Sequence, residues 1–490
     1  MEEYSKSDAV TLGELVRKRA VSPSELARLF VEAVEKVNPR INAVIEVYSD
    51  RIESLDDRAV SAGPFAGVPF LMKDIGAGEA GRVQEMGSRL MKGHIADKDS
   101  FLTTLFKNAG LNLLGRTATP EFALGASTES VLTGPTRNPW NLEMMAGGSS
   151  GGSAASVAAG IVPIAHGSDN GGSIRIPASA CGLVGLKPSR GRVSLAPDIG
   201  DPGMLQEFVM TRTVRDTALM LDIASKPAAG DPYVIVQPVR PYMQEVNAPL
   251  DKLRIAWTAD SWQPGSRVDS EVVQSVEQVA SACESAGHEV VEASPSFDYE
   301  EYFHAVNIAW TFGMYTMMDF MAATTGRPIS GESMEPVMLS FYEYSKSLTA
   351  ADWMMAEGVL NKFRRDFGKF FEQYDILLTP TLAKLPERLG KYSKMRTDLD
   401  YLGFMRLNDE IRIHPPAANI TGQPAISLPL GQSRSGLPIG VQFMAGFGEE
   451  DALIRLASWF EREMPWRNRI PPVHVSQLMD ATITAEEVLA

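Results

Sequence analysis

Two Gly/Ser clusters, GGSSGGS at 147–153 and SDNGGSIR at 168–175, flank a run carrying Ala154, Val157, Ala158, Ile161, Val162 and Ile164. Flexible linkers are polar and lack apolar periodicity, so this stretch reads as two loops on one folded scaffold. Glycine admits positive φ and lets backbone approach a ligand closely. Across Asn170, Gly171, Gly172 and Ser173, successive N–H groups can turn toward one point and form an anion-binding nest. A nest of this kind serves either as a phosphate cradle or as an oxyanion hole. Neither GxxxxGK[ST] nor GxGxxG occurs in the clusters, which weakens the phosphate reading. Ser173 closes the nest and is placed to attack a carbonyl whose oxygen the nest would hold, which favours the oxyanion reading.

An attacking serine needs a base. His166, in the apolar run AHG, reads first as a buried strand-end histidine with backbone partners; the other five histidines show no HExxH-like pairing. Lysine serves as a base when burial makes its neutral form accessible. Lys73 follows the strand-like run GVPFLM and precedes Asp74, a costly place for a lysine with no task.

The elements that position these groups follow from patterning. From about 65 to 290, short apolar runs (GVPFLM, LNLLGR, IVPIAHG, LRIAWT) alternate with helical patterns, the mark of an α/β sheet. Strand-like runs return at DILLTP, AISLPL and IGVQFMA, followed by a helix around 450–463. Residues 11–37 predict two short helices, the second opened by a capping box of Ser22 and Glu25 with Pro23 at its first position. The divisions expected are a helical segment at 1–64, a core at 65–295 with the reactive residues, a helical Met- and aromatic-rich insert at 296–375, and strands and a helix at 376–490 completing the same domain.

With 61 acidic against 46 basic residues the formal charge is −15, and no basic run offsets it locally, so neither nucleic acid nor an anionic membrane is the expected partner. Cys181 and Cys283 have no metal-ligand or CxxC spacing. No apolar stretch reaches a membrane span and the start MEEYSKSDAV is not a signal peptide, so a cytoplasmic location is expected.

Lys73 in GVPFLMKD, Ser149-Ser150 in GGSSGGS, and Ser173 in SDNGGSIRIPASACGLVGLKPSRGRVS resemble the signature of the amidase signature family of serine hydrolases. PTRNPWN, NITGQPAISLPL and GLPIGVQF are similar to that family too, and the likeness runs from about 65 to 460. The resemblance implies an α/β amidase signature fold, with a large mixed twisted sheet covered by helices on both faces. It implies a triad of nucleophile Ser173, bridging Ser149 after a cis peptide, and general base Lys73. The N–H groups of Asn170, Gly171, Gly172 and Ser173 would form the oxyanion hole, and substrate would lie against Met144, Met145 and Ala146, with Met145 and Ala146 as the binding positions. Asp169 and Arg175 would brace the loop as an ion pair; Ser150 and Ser153 would make loop or cap hydrogen bonds. No metal or cofactor is implied, and a homodimer is a family-level expectation.

Two branches compete. The amidotransferase subunit that hydrolyses glutamine carries a loop like DTGGSIRQP, against which Asn170 and Ile176 are departures. Linear-amide and cyclic oligoamide hydrolases share the VNPRINAV and SAGPFAGVPFLMKD stretches, and Asn170 departs there as well. The insert, with Trp310, Phe312, Tyr315, Phe320, Phe341 and Tyr342, suits an apolar pocket wall or lid or else an ordinary helical core. An apolar, aryl or oligomeric amide is therefore the expected substrate, with carbamates and esters accessible to the same chemistry.

Overall fold

The computed structural model describes residues 1–58, 60, 63–197, 203–233 and 235–478. Ser61 and Ala62 of the SAGPFAGVPFLMKD stretch, and 479–490 of the expected C-terminal segment, lie outside the described residues.

The strands are β1 (Val44–Val47), β2 (Pro69–Lys73), β3 (Asn112–Thr117), β4 (Glu129–Ser130), β5 (Gly134–Pro135), β6 (Arg137–Asn138), β7 (Asn141–Met145), β8 (Ile164–Asp169), β9 (Val184–Lys187), β10 (Gln206–Thr211), β11 (Arg254–Trp257), β12 (Glu289–Glu292), β13 (Ile376–Pro380), β14 (Ala425–Gln432) and β15 (Pro438–Ala445). Eleven of them form one sheet in the order β1-β3-β2-β8-β10-β9-β14-β15-β13-β11-β12, while β4 pairs with β5 and β6 with β7. The sheet is mixed: β3, β2 and β8 run parallel, as do β13, β11 and β12, and the middle of the sheet is antiparallel.

Strand side chains alternate between faces, and here the alternation separates two cores. Ile255, Ile376, Leu378, Ile426, Leu428 and Phe443 join one apolar cluster. Their neighbours Ala256, Leu377, Ala425 and Met444 join a second one, with side chains of the helices Tyr299–Thr311, Pro336–Ser347 and Ala350–Gln373. The sheet is thus covered on both faces.

Local signals act where the sequence places them. Ser22 Oγ accepts from the Glu25 N–H at 3.1 Å and Glu25 Oε2 from the Ser22 N–H at 2.7 Å, opening the helix Pro23–Ile41, whose Leu26, Phe30, Ala33 and Val37 are buried. The Met-rich segment divides. Met318, Met321, Met334 and Met338 pack in the second core, whereas Met317, Phe320, Met354 and Met355 face solvent. Among the described residues, no helix is long and apolar enough to cross a membrane.

Candidate active site

β2 and β8 are parallel neighbours, paired through Phe70 with Ile164 and Leu71 with Ala165. Their carboxyl ends therefore emerge on the same edge, and the crevice beyond such ends is where α/β sheets place ligands. Lys73 is the last residue of β2, and the SDNGGS loop follows from the end of β8.

Lys73 is 1% exposed. Its Nζ donates to Ser149 Oγ at 2.7 Å and to Ser168 Oγ at 2.8 Å. Among the described residues no carboxylate forms an ion pair with the amine, and the adjacent Asp74 is turned toward Arg116 at 2.8 Å and toward the N–H groups of Glu85 and Gly87. Burial pulls the Lys73 ammonium down to about 7, against the opposing attraction of Glu207 and Asp169. A lysine tuned in this way exchanges protons near neutral pH.

His166 takes the structural place rather than the base's. Its Nδ1 accepts the backbone N–H of Lys73 at 3.3 Å, and its Nε2 faces Glu207 Oε2 at 3.9 Å. Burial and the nearby Lys73 hold it down at about 3, so the ring is neutral and its one free lone pair is already engaged.

Ser149 is fully buried at the entrance to the helix Gly151–Ala158, and the Gly148–Ser149 peptide is cis. Its carbonyl accepts from Thr119 Oγ1 at 3.1 Å and Thr128 Oγ1 at 3.4 Å. The glycines here serve close approach: a Cβ on Gly152 would lie 2.6 Å from the carbonyl oxygen of Ala118. Ser150 does not cap its helix; its Oγ donates to the Ser168 carbonyl and accepts the Ser168 N–H, each at 3.3 Å, while Ser153 Oγ meets Thr117 Oγ1 at 2.7 Å.

Ser173 is half-buried, more open than Lys73 or Ser149. The two Gly/Ser loops are joined by the Ser150 N–H, which donates to the Ser173 carbonyl at 3.2 Å. Among the described residues no hydrogen bond links Ser173 Oγ to Ser149 Oγ. The structure thus brings Lys73 and Ser149 into direct contact and sets Ser173 on the adjoining loop.

The loop is shaped by a buried ion pair. Asp169 Oδ1 accepts from Arg175 Nη2 at 2.9 Å, and Oδ2 from Arg175 Nε at 3.0 Å. Arg175 also donates to the Pro415 carbonyl, Gln442 Oε1 and Asn419 Oδ1, and Asn419 Nδ2 returns to the Asp169 carbonyl at 2.8 Å. Despite complete burial, Arg175 holds the Asp169 carboxyl well below the usual carboxylate range. Asp169 further accepts the N–H groups of Gly172 at 2.8 Å and Ile174 at 3.1 Å. The Gly172 N–H is therefore turned into the loop, whereas those of Gly171 and Ser173 have no partner among the described residues. Gly172 itself has φ +109°, and a Cβ there would lie 2.7 Å from Pro415 Cβ, so only glycine fits.

Breaking this pair is expected to be expensive. Arg175→Met leaves the buried Asp169 uncompensated, and a loss of roughly 3–5 kcal/mol is expected. A lower urea midpoint at unchanged slope is the predicted readout; a midpoint equal to wild type would show the pair carries no stability.

Met145 and Ala146 are fully buried. The Met145 carbonyl accepts from Asn138 Nδ2 at 3.1 Å, and the Ala146 carbonyl from Cys181 Sγ at 3.4 Å. The Met145 side chain packs with Ala126, Ile176, Leu382 and Tyr392 in a small third cluster. A cleft of about 470 Å³, lined by Arg89, Lys92, Val131, Arg327 and Ser333, is lined by none of Lys73, Ser149 and Ser173. Among the described residues no His, Cys, Asp and Glu group is arranged to hold a metal ion.

Ser168, Asn419 and Gln442 were not singled out as site residues by sequence reasoning. Ser168 offered a signal: it lies two positions after His166 on one strand, hence on the same face. Asn419 and Gln442 reach the loop only through the tertiary fold.

A buried lysine hydrogen-bonded to a serine that follows a cis peptide, beside a glycine-rich loop ending in serine, is the arrangement expected of the amidase class. The family model for amidases matches residues 25–454, and the chain belongs to that family. It is an amidase, a hydrolase of C–N bonds. The 6-aminohexanoate-cyclic-dimer hydrolase of Paenarthrobacter ureafaciens is 34% identical over 475 residues, spanning 95% of this chain and 96% of that protein. A solved structure of 6-aminohexanoate cyclic dimer hydrolase with its substrate superposes with a TM-score of 0.90 at 33% identity, covering 96% of this chain and 99% of that one. A bacterial aryl acylamidase of the amidase signature family follows with a TM-score of 0.84 at 26% identity, covering 97% and 99%.

Proposed function

We propose that this amidase hydrolyses apolar oligoamides, cyclic ones included, through an acyl-enzyme on Ser173. The observation that carries the mechanism is the 2.7 Å contact between Lys73 Nζ and Ser149 Oγ, with burial bringing the lysine to about 7. Neutral Lys73 takes the Ser149 proton as Ser149 takes that of Ser173, and Ser173 Oγ bonds to the substrate carbonyl carbon. The carbonyl π pair moves onto oxygen. Donors for that oxyanion are the N–H groups of Asn170, Gly171 and Ser173; Gly172 supports the turn, since its own N–H is given to Asp169. The proton on Lys73 returns through Ser149 to the leaving nitrogen, the C–N bond breaks, and the amine departs. Water then attacks the acyl ester by the same relay and frees the acid. Protonation of nitrogen is what makes it a leaving group.

In this reading the acyl portion lies against the Met145–Ala146 segment that leads into the first Gly/Ser loop. Carbamates and esters pass through the same tetrahedral intermediate and are expected to react. The oligoamide preference is supported by the likeness to the cyclic-dimer hydrolase over nearly the full chain. The test is a hydrolysis panel on the purified chain: a cyclic diamide, linear oligoamides, aryl anilides, carbamates, esters and glutamine. Turnover of cyclic and linear oligoamides above glutamine is expected; glutamine as the leading substrate would overturn the preference.

A further inference from the structure

Three stretches far apart in sequence meet around the cleft of about 470 Å³: residues 89–92, residues 131–132 after β4, and residues 327–333 between the helices Met314–Thr325 and Pro336–Ser347. Its lining sets Arg89, Lys92 and Arg327 against one carboxylate, Glu332, in a chain whose formal charge is −15. Among the described residues none of the three cations makes an ion pair. Arg89 Nη2 donates to the carbonyls of Met334 at 2.9 Å and Gly331 at 3.2 Å, and Arg327 Nη1 to that of Leu90 at 3.1 Å. These bonds fix the two guanidinium groups to the walls without neutralising them, and Lys92 is exposed.

The walls are held together from behind by buried carboxylates. Glu121 Oε1 accepts from Ser88 Oγ at 2.6 Å, and its Oε2 from the Glu335 N–H at 2.8 Å. Glu335 Oε1 in turn accepts the Val131 N–H at 2.9 Å, and its Oε2 lies 3.5 Å from the buried Lys394 Nζ. Two glutamates, 1% and 2% exposed, therefore tie one residue of each wall or its immediate neighbour to the next. The cleft is a preformed feature of the fold.

Its surface chemistry identifies the class of occupant. A cleft focuses the field of the charges that line it, and a guanidinium fork matches a carboxylate. Beside the cations Val131 is 46% exposed, and Leu132 and Pro328 extend an apolar wall. A small hydrated anion such as phosphate would leave that wall uncovered, whereas an anion with an aliphatic tail uses both surfaces. The volume is that of a small-molecule site. Hydrolysis of an amide frees a carboxylic acid, ionised at neutral pH, so the chain's own reaction generates ligands of this class.

We propose that this cleft is a binding site for an aliphatic carboxylate, with the head group among Arg89, Lys92 and Arg327 and the chain along Val131 and Leu132. Since Lys73, Ser149 and Ser173 do not line it, it is a second site beside the reactive one, and its charges carry the inference whichever amide is preferred.

The test uses the full-length wild-type protein and octanoate. Equilibrium dialysis with radiolabelled octanoate gives Kd, and an octanoate bearing a diazirine at its chain end gives the place, read by mass spectrometry of peptides after irradiation. Label is expected on peptides holding residues 89–92, 131–132 or 327–333, displaced by octanoate and not by 1-octanol or inorganic phosphate. Butanoate is expected to bind about tenfold more weakly than octanoate, because less chain reaches the apolar wall. Lys92→Gln removes an exposed side chain that bonds to no described residue; Kd is expected to rise about threefold, with an unchanged melting temperature as the check on folding. For Arg327→Gln a rise of about tenfold is expected. Label confined to peptides carrying Ser149 or Ser173 would place the acid in the reactive site and overturn the second site. Equal displacement by phosphate would overturn the aliphatic carboxylate as its ligand. Absence of label, or a Kd unaltered in both variants, would overturn the proposal outright.

Discussion

Ser173→Ala is expected to lower amide kcat by about 10⁶-fold, the scale seen when a serine nucleophile is deleted from a relay of this kind. The remaining binding surface and oxyanion donors cannot form a covalent intermediate, so the loss falls on kcat. Stability is expected to stay near wild type. Ser173 is half-buried, and the bond that ties its position to the first Gly/Ser loop uses its backbone carbonyl, which alanine retains. The check pairs steady-state kinetics with intact-mass analysis after mixing with an activated ester. Wild type should gain the mass of one acyl group and the variant none. Wild-type-like rates, or an acyl adduct persisting on the variant, would move the nucleophile elsewhere.

The parts of this site that could be read in the sequence are those encoded locally. The Ser22–Glu25 capping box is a contact across one turn, and the structure forms it. Asp169, at the end of β8, and Arg175, at the start of the next helix, pair as the family resemblance implies. Apolar runs such as GVPFLM and AISLPL become β2 and β14, because a short unbroken apolar run between breakers suits a strand buried on both faces. What could not be read comes from residues brought together by the fold. Arg175 takes its remaining acceptors from Pro415, Asn419 and Gln442, and no local pattern joins those positions. The sequence places Asp74 beside Lys73, yet strand alternation turns it to Arg116 on the neighbouring β3. The Gly172 N–H illustrates the same limit. Its sequence context suits an oxyanion donor equally well as its neighbours, and only the three-dimensional turn aims it at Asp169. The methionines of the helical insert are divided between core and surface for a related reason: Met317 and Met318 are adjacent in sequence but project about 100° apart around one helix.

The Gly/Ser loops and the buried lysine form one device. Arg175 and Asn419 fix Asp169, Asp169 fixes the turn of the nest, and the Ser150 N–H ties the nest to the loop carrying Ser149. Ser149 in turn contacts Lys73. The donors proposed for the oxyanion and the lysine proposed as proton acceptor are thus held relative to one another by hydrogen bonds outside the proposed relay, which is the condition for preorganised electrostatic stabilisation.

Replacing the proposed proton acceptor is expected to give the second large effect. Lys73→Met keeps the apolar stem and removes the amine, and amide kcat is expected to fall by about 10⁴-fold, the upper range for general acid–base catalysis, since uptake and delivery of the proton both fail. Ester hydrolysis should suffer less, because an alkoxide or phenolate leaves with less need of a proton. The pH profile separates this role from a structural one. In the proposed relay Lys73 works in its neutral form, and burial lowers it to about 7. Wild-type kcat/KM should therefore rise about tenfold per pH unit below that value and level off above it. His166 cannot supply the same limb, since it is held neutral at about 3 and would already be deprotonated throughout the range. In Lys73→Met the rising limb should vanish along with most of the amide activity. A limb near 7 that survives in the variant, or a wild-type rate that declines as pH rises through 7, would assign the base to another residue.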